Sequence, residues 1–477
     1  MRFRLPLSFT SILLLTLLCG CQGEDGSDGA EGAEGPIGTE GPPAYEEPAY
    51  TYLGGNGNDC RHCHQYIVSN WAGTNHQDAF VDLGTDNIKP GCLQCHTTGW
   101  DSEVSDDTIS VRGPDTTGFD DYFMVATNEA FDRRAALAGV QCEACHGPLG
   151  PEVNQSDEDI SFSTRQEDDK HLSICAPCHA RHLTNWNSTG HGTAQTGSIE
   201  EFNSRQSSQA ESCQSCHTSE GFIRANDPAY AIYDFPDQKS FIGCVTCHDP
   251  HSDEVEHLLR KVGNIEVEYH PAHEDGDPGI PMLGRPEAAE LCSRCHHAPK
   301  DNDDVENQIR NGDPDFGPHH SPQMDMFIGA GCYEIEGKAY IRNHLHRTNI
   351  EDKCVKCHMK RKVYLTGETQ QHVFHTFELE AGNCAPCHIG LTDFDYNGTQ
   401  TEIQAKMYQL AAALGYVTTT DFLENFDSQA TGVRIWEREA AYALFFVYND
   451  GSKGVHNPVY ALTLLQNAID YIGENTD

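Results

Sequence analysis

Apolar positions are concentrated at the two ends of the chain. Residues Phe9 to Leu18 form a predominantly apolar run behind Arg2 and Arg4. This arrangement predicts a secretory signal over residues 1–20, because the run is too short to span a bilayer. No later stretch is long and apolar enough to do so. From about residue 400 the spacing turns helical, in TEIQAKMYQLAAALGYV and again in EREAAYALFFVYND. In HNPVYALTLLQNAIDYI, Asn457 suits an N-cap and Pro458 the first helical position. Residues 396–477 are therefore expected to form a small helical cap.

Between these ends the informative pattern is cysteine and histidine. The string Cys-x-x-Cys-His begins at Cys60, Cys92, Cys142, Cys175, Cys213, Cys244, Cys292, Cys354 and Cys384. With 21 Cys and 26 His in 477 residues, chance predicts roughly 0.05 copies. Zinc sites want four ligands, so nine pairs do not divide among them, and zinc has no use for His directly after each second Cys. A redox dithiol or a disulfide framework has no use for that His either. Covalent haem accounts for all three residues. The thiols Cys60, Cys63, Cys92, Cys95, Cys142, Cys145, Cys175, Cys178, Cys213, Cys216, Cys244, Cys247, Cys292, Cys295, Cys354, Cys357, Cys384 and Cys387 would add to vinyl groups. His64, His96, His146, His179, His217, His248, His296, His358 and His388 would be proximal iron ligands. Nine haem c groups are expected. They would provide most of the core, with short helices and loops wrapped around them. The expected fold is mainly α with extensive loops around a chain of nine haems, closed by the helical cap.

Haem c attachment takes place outside the cytoplasm, which agrees with the export signal. Leu18-Cys19-Gly20-Cys21 resembles a bacterial lipobox, making Cys21 the lipidated N-terminus. Glycines 23, 26, 29, 32, 35, 38 and 41 then mark seven Gly-x-y triplets. Their other positions hold six carboxylates and no base, so aligned chains would repel. Residues 21–58 are expected to act as a flexible acidic tether. The formal charge is −42, and loss of the two positive charges of Arg2 and Arg4 takes it to −44. Such a field opposes nucleic acid and small anionic substrates and favours cationic partners or metal ions.

The motifs reveal a duplication. CRHCHQYIVSNWAGTNHQDAF from Cys60 aligns without a gap on CAPCHARHLTNWNSTGHGTAQ from Cys175, matching Asn70, Trp71, Thr74 and His76 with Asn185, Trp186, Thr189 and His191. CLQCHTTGW pairs with CQSCHTSEGF, and CEACHGP with CVTCHDP. The expected layout is a three-haem repeat over 59–151, a second over 152–252, a different three-haem block over 253–395, and the cap. Seventeen histidines remain after nine proximal ones, enough to close every iron. His76 and His191 are the foremost distal candidates because they recur in both repeats. His251 is too close to His248 to reach the far side of the same iron and would serve a neighbour; copy one has Leu149 there. Further candidates are His319 or His320, one of His344 and His346, His375, and His456. His171, His273 and His297 are weaker. His62 reads as a spacer inside its own motif.

Trp-x-x-Thr-x-His after the motif, CHTTGW, GVQCEACHGP and GVHNPVYALTLLQNA together resemble the multihaem c-type cytochrome superfamily. That group includes tetrahaem carriers, hydroxylamine oxidoreductase, octahaem tetrathionate reductase and outer-membrane lipoprotein cytochromes of metal-respiring bacteria. The resemblance covers most of residues 55–477 and implies stacked haem pairs forming a continuous wire. Catalytic members typically keep one iron open or replace the motif His by Lys; here all nine motifs end in His. The favoured expectation is a lipid-anchored electron carrier at the outer membrane or cell surface, serving extracellular acceptors or other redox proteins. The rivals are a reductase or oxidoreductase of a small nitrogen or sulfur compound with one open haem, and a subunit of a homo-oligomeric cytochrome filament. Cys332 lies outside the motifs and reads as a small buried residue.

Overall fold

A computed structural model describes residues 50–58, 60–84, 88–100, 116–148, 170–193, 208–227, 240–263, 287–366 and 368–476, together with 265, 267, 268 and 270. All of them belong to one unit, 48–477. The signal, Cys21, the triplets, His273 and the side chain of His171 lie outside the described residues. Among the described residues no helix is long and apolar enough to cross a membrane.

The fold is mainly α with extensive loops. Most helices before residue 399 are short, as at Pro90–His96, Cys142–His146 and Lys353–His358, and the 18-residue Lys170–Asn187 is broken at His179. One helical turn suffices for each motif, because residues i, i+3 and i+4 share a face. Among the described residues the paired strands are Tyr50–Thr51 with Thr116–Thr117, parallel, and the antiparallel hairpin Arg361–Thr366 with Glu368–Val373, beside three isolated bridges. The hairpin was not expected. Its β-prone Val363-Tyr364-Leu365 run follows directly on motif eight, and it delivers the chain to His375.

Among the described residues the most extended apolar core lies in the cap. Helices Thr399–Ala413, Ile435–Asn449 and Pro458–Thr476 bury Ile403, Leu410, Tyr442, Leu444, Phe446, Tyr460 and Leu464 together. Asn457 caps the last helix, its Oδ1 accepting from Tyr460 N at 3.1 Å, as the spacing predicts. Val305, Ile309, Met326, Cys332 and Ile335, from between motifs seven and eight, join the same core. Cys332 is buried there, as expected. Arg438 ties the layers, donating from Nε to Ser428 O at 2.7 Å and from a guanidinium NH to Arg310 O at 3.1 Å.

Candidate haem-binding site

The duplicated signature has a local physical cause. His64 and His179 both leave helical geometry, at φ −113° and −110°, and a helix carrying the buried Trp71 or Trp186 follows each. Thr74 and Thr189 then begin the next helix. Thr74 Oγ1 donates to Trp71 O at 2.8 Å and accepts from Gln77 N; Thr189 Oγ1 donates to Trp186 O at 2.7 Å and accepts from Gly192 N at 3.1 Å. Each Thr thus orients the turn on which His76 or His191 stands.

A second clamp recurs between the later motifs. Thr98 Oγ1 donates to Gly139 O and accepts from Gln141 N at 2.9 Å, just ahead of Cys142. Ser219 Oγ donates to Phe241 O and accepts from Gly243 N, just ahead of Cys244. Gly139, at φ +85°, passes so close to the helix bearing His76 that a Cβ would lie 2.5 Å from Gln77 O. Only glycine allows that approach.

These supports bring imidazoles together in pairs. Ring centres are 6.2 Å apart for His179 and His76, 6.2 Å for His146 and His251, and 6.0 Å for His296 and His191. They are 6.1 Å apart for His217 and His319, and 6.2 Å for His248 and His375. They are 5.9 Å apart for His388 and His346, and 6.3 Å for His358 and His456. A metal–imidazole bond of about 2 Å, and about 1 Å more to the ring centre, put two imidazoles on opposite faces of one iron about 6 Å apart. The residues present therefore fit haem iron between each pair. His76 and His191 each reach the motif three places further on, whereas His251 reaches three places back. His64 and His96 have no such facing imidazole among the described residues.

Hydrogen bonds separate ligand candidates from their neighbours. Nδ1 of His248 donates to His257 O at 3.0 Å, that of His358 to Phe377 O at 3.2 Å, and that of His346 to Val455 O at 3.0 Å. His319 Nδ1 donates to His320 O at 2.8 Å, and His296 Nδ1 meets Gln323 Oε1 at 3.2 Å. Each leaves Nε2 for a metal and fixes the ring's orientation. His344 instead spends Nε2 on Phe327 O at 2.9 Å, so His346 is the better placed of that pair. His320 meets His319 rather than a motif histidine. Burial, with the facing His179, pushes His76 down to about 4, and burial with His296 does the same to His191. Both imidazoles stay neutral, the form that can bind metal.

His182 was not anticipated. Its ring lies 5.8 Å from His179 and 4.7 Å from His375. The available signal was its place three residues after His179, the same offset as His251 after His248.

The motifs also touch one another. Thiols of Cys60 and Cys142, Cys95 and Cys178, Cys175 and Cys244, Cys216 and Cys295, and Cys292 and Cys354 are hydrogen-bond neighbours. Cys247 and Cys295 pack on the same small cluster of Phe222, Val262 and Leu291. Asn383, beside Cys384, donates to Cys357 O at 3.2 Å. Motifs four, six, seven, eight and nine thus follow one another in contact, with two and five touching four and seven. None of the described cysteines forms a disulfide.

The sequence profile of the cytochrome c554 and c-prime family matches twice, over residues 59–147 and 174–249, the segments that carry the duplication. The multiheme cytochrome MtrA of Shewanella baltica is 26% identical over 148 residues, which span 28% of this chain and 43% of that protein. Among solved structures, the outer cell wall cytochrome OcwA superposes with a TM-score of 0.51 at 17% identity, covering 88% of this chain and 99% of that one. An undecaheme cytochrome from the S-layer of Carboxydothermus ferrireducens gives 0.48 at 17% identity, covering 90% and 70%.

Proposed function

Since the chain is a multihaem c-type cytochrome resembling those of metal-respiring bacteria, we propose that it is a nine-haem relay whose irons are mostly closed by histidine on both faces. The observation that carries this reading is the set of seven imidazole pairs at iron-spanning distance. An iron closed on both faces exchanges electrons without binding substrate, and covalent haem supplies the Fe(III)/Fe(II) couple. The protein's own residues do the rest. Paired cysteines would fix each macrocycle, and Nδ1 hydrogen bonds hold His248, His296, His319, His346, His358 and His456 in the orientation that presents Nε2. Contacting motifs keep neighbouring sites close, from motif four through six, seven and eight to nine. His76, His191, His251, His319, His346, His375 and His456 are the proposed distal ligands.

The export signal and Cys21 support attachment to the outer membrane by lipid, with the acidic segment as a tether. The formal charge of −42 suits cationic partners, metal ions or the basic face of another redox protein better than small anions.

The test is a pyridine haemochrome count on purified protein, followed by carbon monoxide addition to the fully reduced form. Nine haems per chain are expected, with carbon monoxide kept from the seven irons whose imidazoles are paired. Fewer haems would overturn the count. Carbon monoxide binding at three or more haems per chain would overturn the closed-iron relay. Mass spectrometry of the N-terminal peptide checks lipidation of Cys21, and an unmodified Cys21 would remove the anchor.

A further inference from the structure

Most Nδ1 acceptors in the imidazole pairs are uncharged, being main-chain carbonyls or the Gln323 amide. Two distal candidates face carboxylates instead. His456 Nδ1 lies 2.5 Å from Asp450 Oδ1, whose side chain is fully buried. His251 Nδ1 lies 3.3 Å from Asp249 Oδ1. The two carboxylates differ in their company. Asp249 also feels the Arg260 guanidinium and accepts from the main-chain N of His251 at 3.0 Å. Asp450 is held by Ser452, whose N–H donates to Oδ2 at 3.2 Å and whose hydroxyl donates to the same atom. Ser452 Oγ in turn accepts from His456 N at 3.1 Å. The turn 450–456 is thus built to aim one buried carboxylate at the ring of His456.

A carboxylate accepting from Nδ1 makes an imidazole a more basic ligand, and a more basic ligand stabilises ferric over ferrous iron. We propose that Asp450 tunes the iron between His358 and His456 to the lowest reduction potential of the chain, with the iron between His146 and His251 next. Motif eight touches motif seven through Cys292 and Cys354, and motif nine through Asn383. The low-potential station therefore stands on the contact path to motif nine and acts as an uphill step that gates electrons passing to or from it. The proposal rests on the reading of His358 and His456 as one iron's ligands.

Three substitutions in the haem-loaded full chain test it by spectroelectrochemical titration and low-temperature EPR. Asp450→Asn keeps an acceptor and removes the charge; the lowest midpoint potential should rise and its EPR signal move toward that of neutral imidazole ligation. Ser452→Ala removes a donor that shares the carboxylate's charge; the same midpoint should fall. A lowest potential that stays put in both variants, or moves in the opposite senses, overturns the proposal. Should Asp450→Asn fail to accumulate, the sign of the Ser452→Ala shift decides. His456→Met separates the underlying reading: a new methionine–iron absorption band establishes His456 as a ligand, and unchanged axial signatures refute that reading whatever the Asp450 result.

Discussion

The cap and the two repeats solve the problem of a core in different ways. In the cap, helices of 15 and 19 residues bury a continuous cluster that includes Phe422, Tyr442, Phe446 and Tyr460. In the repeats, helices are one to three turns long around His64, His96 and His146. Their largest cluster is Tyr52, Leu93, Trp100, Phe119 and Leu137. Polar clamps fill the remainder: Thr98 between motifs, Thr74 under His76, and buried Glu143 accepting from the N–H groups of Leu53 and Gly54 at 3.0 and 2.7 Å. Clamps of this kind give about 1 kcal/mol each. The lesson is that the cap core is closed by side chains, its own together with those of Val305, Ile309, Met326, Cys332 and Ile335, whereas the repeats depend on a prosthetic group for apolar contact.

Withholding haem should break the comparison open. When the chain is produced without haem attachment, amide exchange over residues 60–148 and 175–251 should approach that of an unfolded chain. The helices 399–413, 435–449 and 458–476 should stay protected. Equal protection in both regions would refute the division.

Within the cap, Phe422 contacts Phe426 and Phe445 with ring centres 5.0 and 4.9 Å away. Phe422→Ala should cost about 3–5 kcal/mol, read from urea unfolding of the cap helices, while the haem spectrum is unmoved. A shifted haem spectrum would mean that the two regions fold as one cooperative unit.

Asp325, in the helix Gln323–Ile328 whose Met326 joins the cap core, offers a pH handle on that core. Burial pushes its carboxyl up to about 7, and Ala298 N donates to it at 2.8 Å. The folded state therefore keeps a proton that the unfolded chain releases near about pH 4. Stability should fall between about pH 4 and pH 7 by up to about 4 kcal/mol and level off above. Asp325→Asn should flatten that slope while keeping the acceptor for Ala298. Urea midpoints at pH 5 and pH 8 check this, and an undiminished slope in the variant would place its origin elsewhere.

The smallest effect sharpens the likeness between the repeats themselves. Thr74→Ala and Thr189→Ala should each cost about 1 kcal/mol and loosen His76 and His191 to the same degree. Unequal responses by hydrogen exchange would show that the duplicated sequence no longer does the same job twice.

Much of the site was legible because its chemistry is local. A helical turn is enough to bring Cys142, Cys145 and His146 to one face, so the motif announces itself without any fold. Asn457 and Pro458 marked a helix start for the same reason. The partners of the motif histidines were legible only as nominations. His76 and His191 stood out through repetition, and His346 could not be told from His344. His182 was signalled only by its offset from His179, and the carbonyls of His257, Phe377 and Val455 that orient ligand candidates carry no comparable signal, since a main-chain oxygen looks alike at every position.

The sequence by itself determined the number and place of the Cys-x-x-Cys-His motifs, the duplication, the helical cap and a short roster of candidate distal histidines. These depend on neighbours a few residues apart. Only the tertiary structure decided that His76 faces His179, that His375 faces His248 after a hairpin, and that Asp450 stands behind His456. Such choices join segments about a hundred residues apart in the chain or, as at Asp450, hang on one turn's exact geometry. They are settled by whichever packing satisfies the buried rings and hydroxyls together.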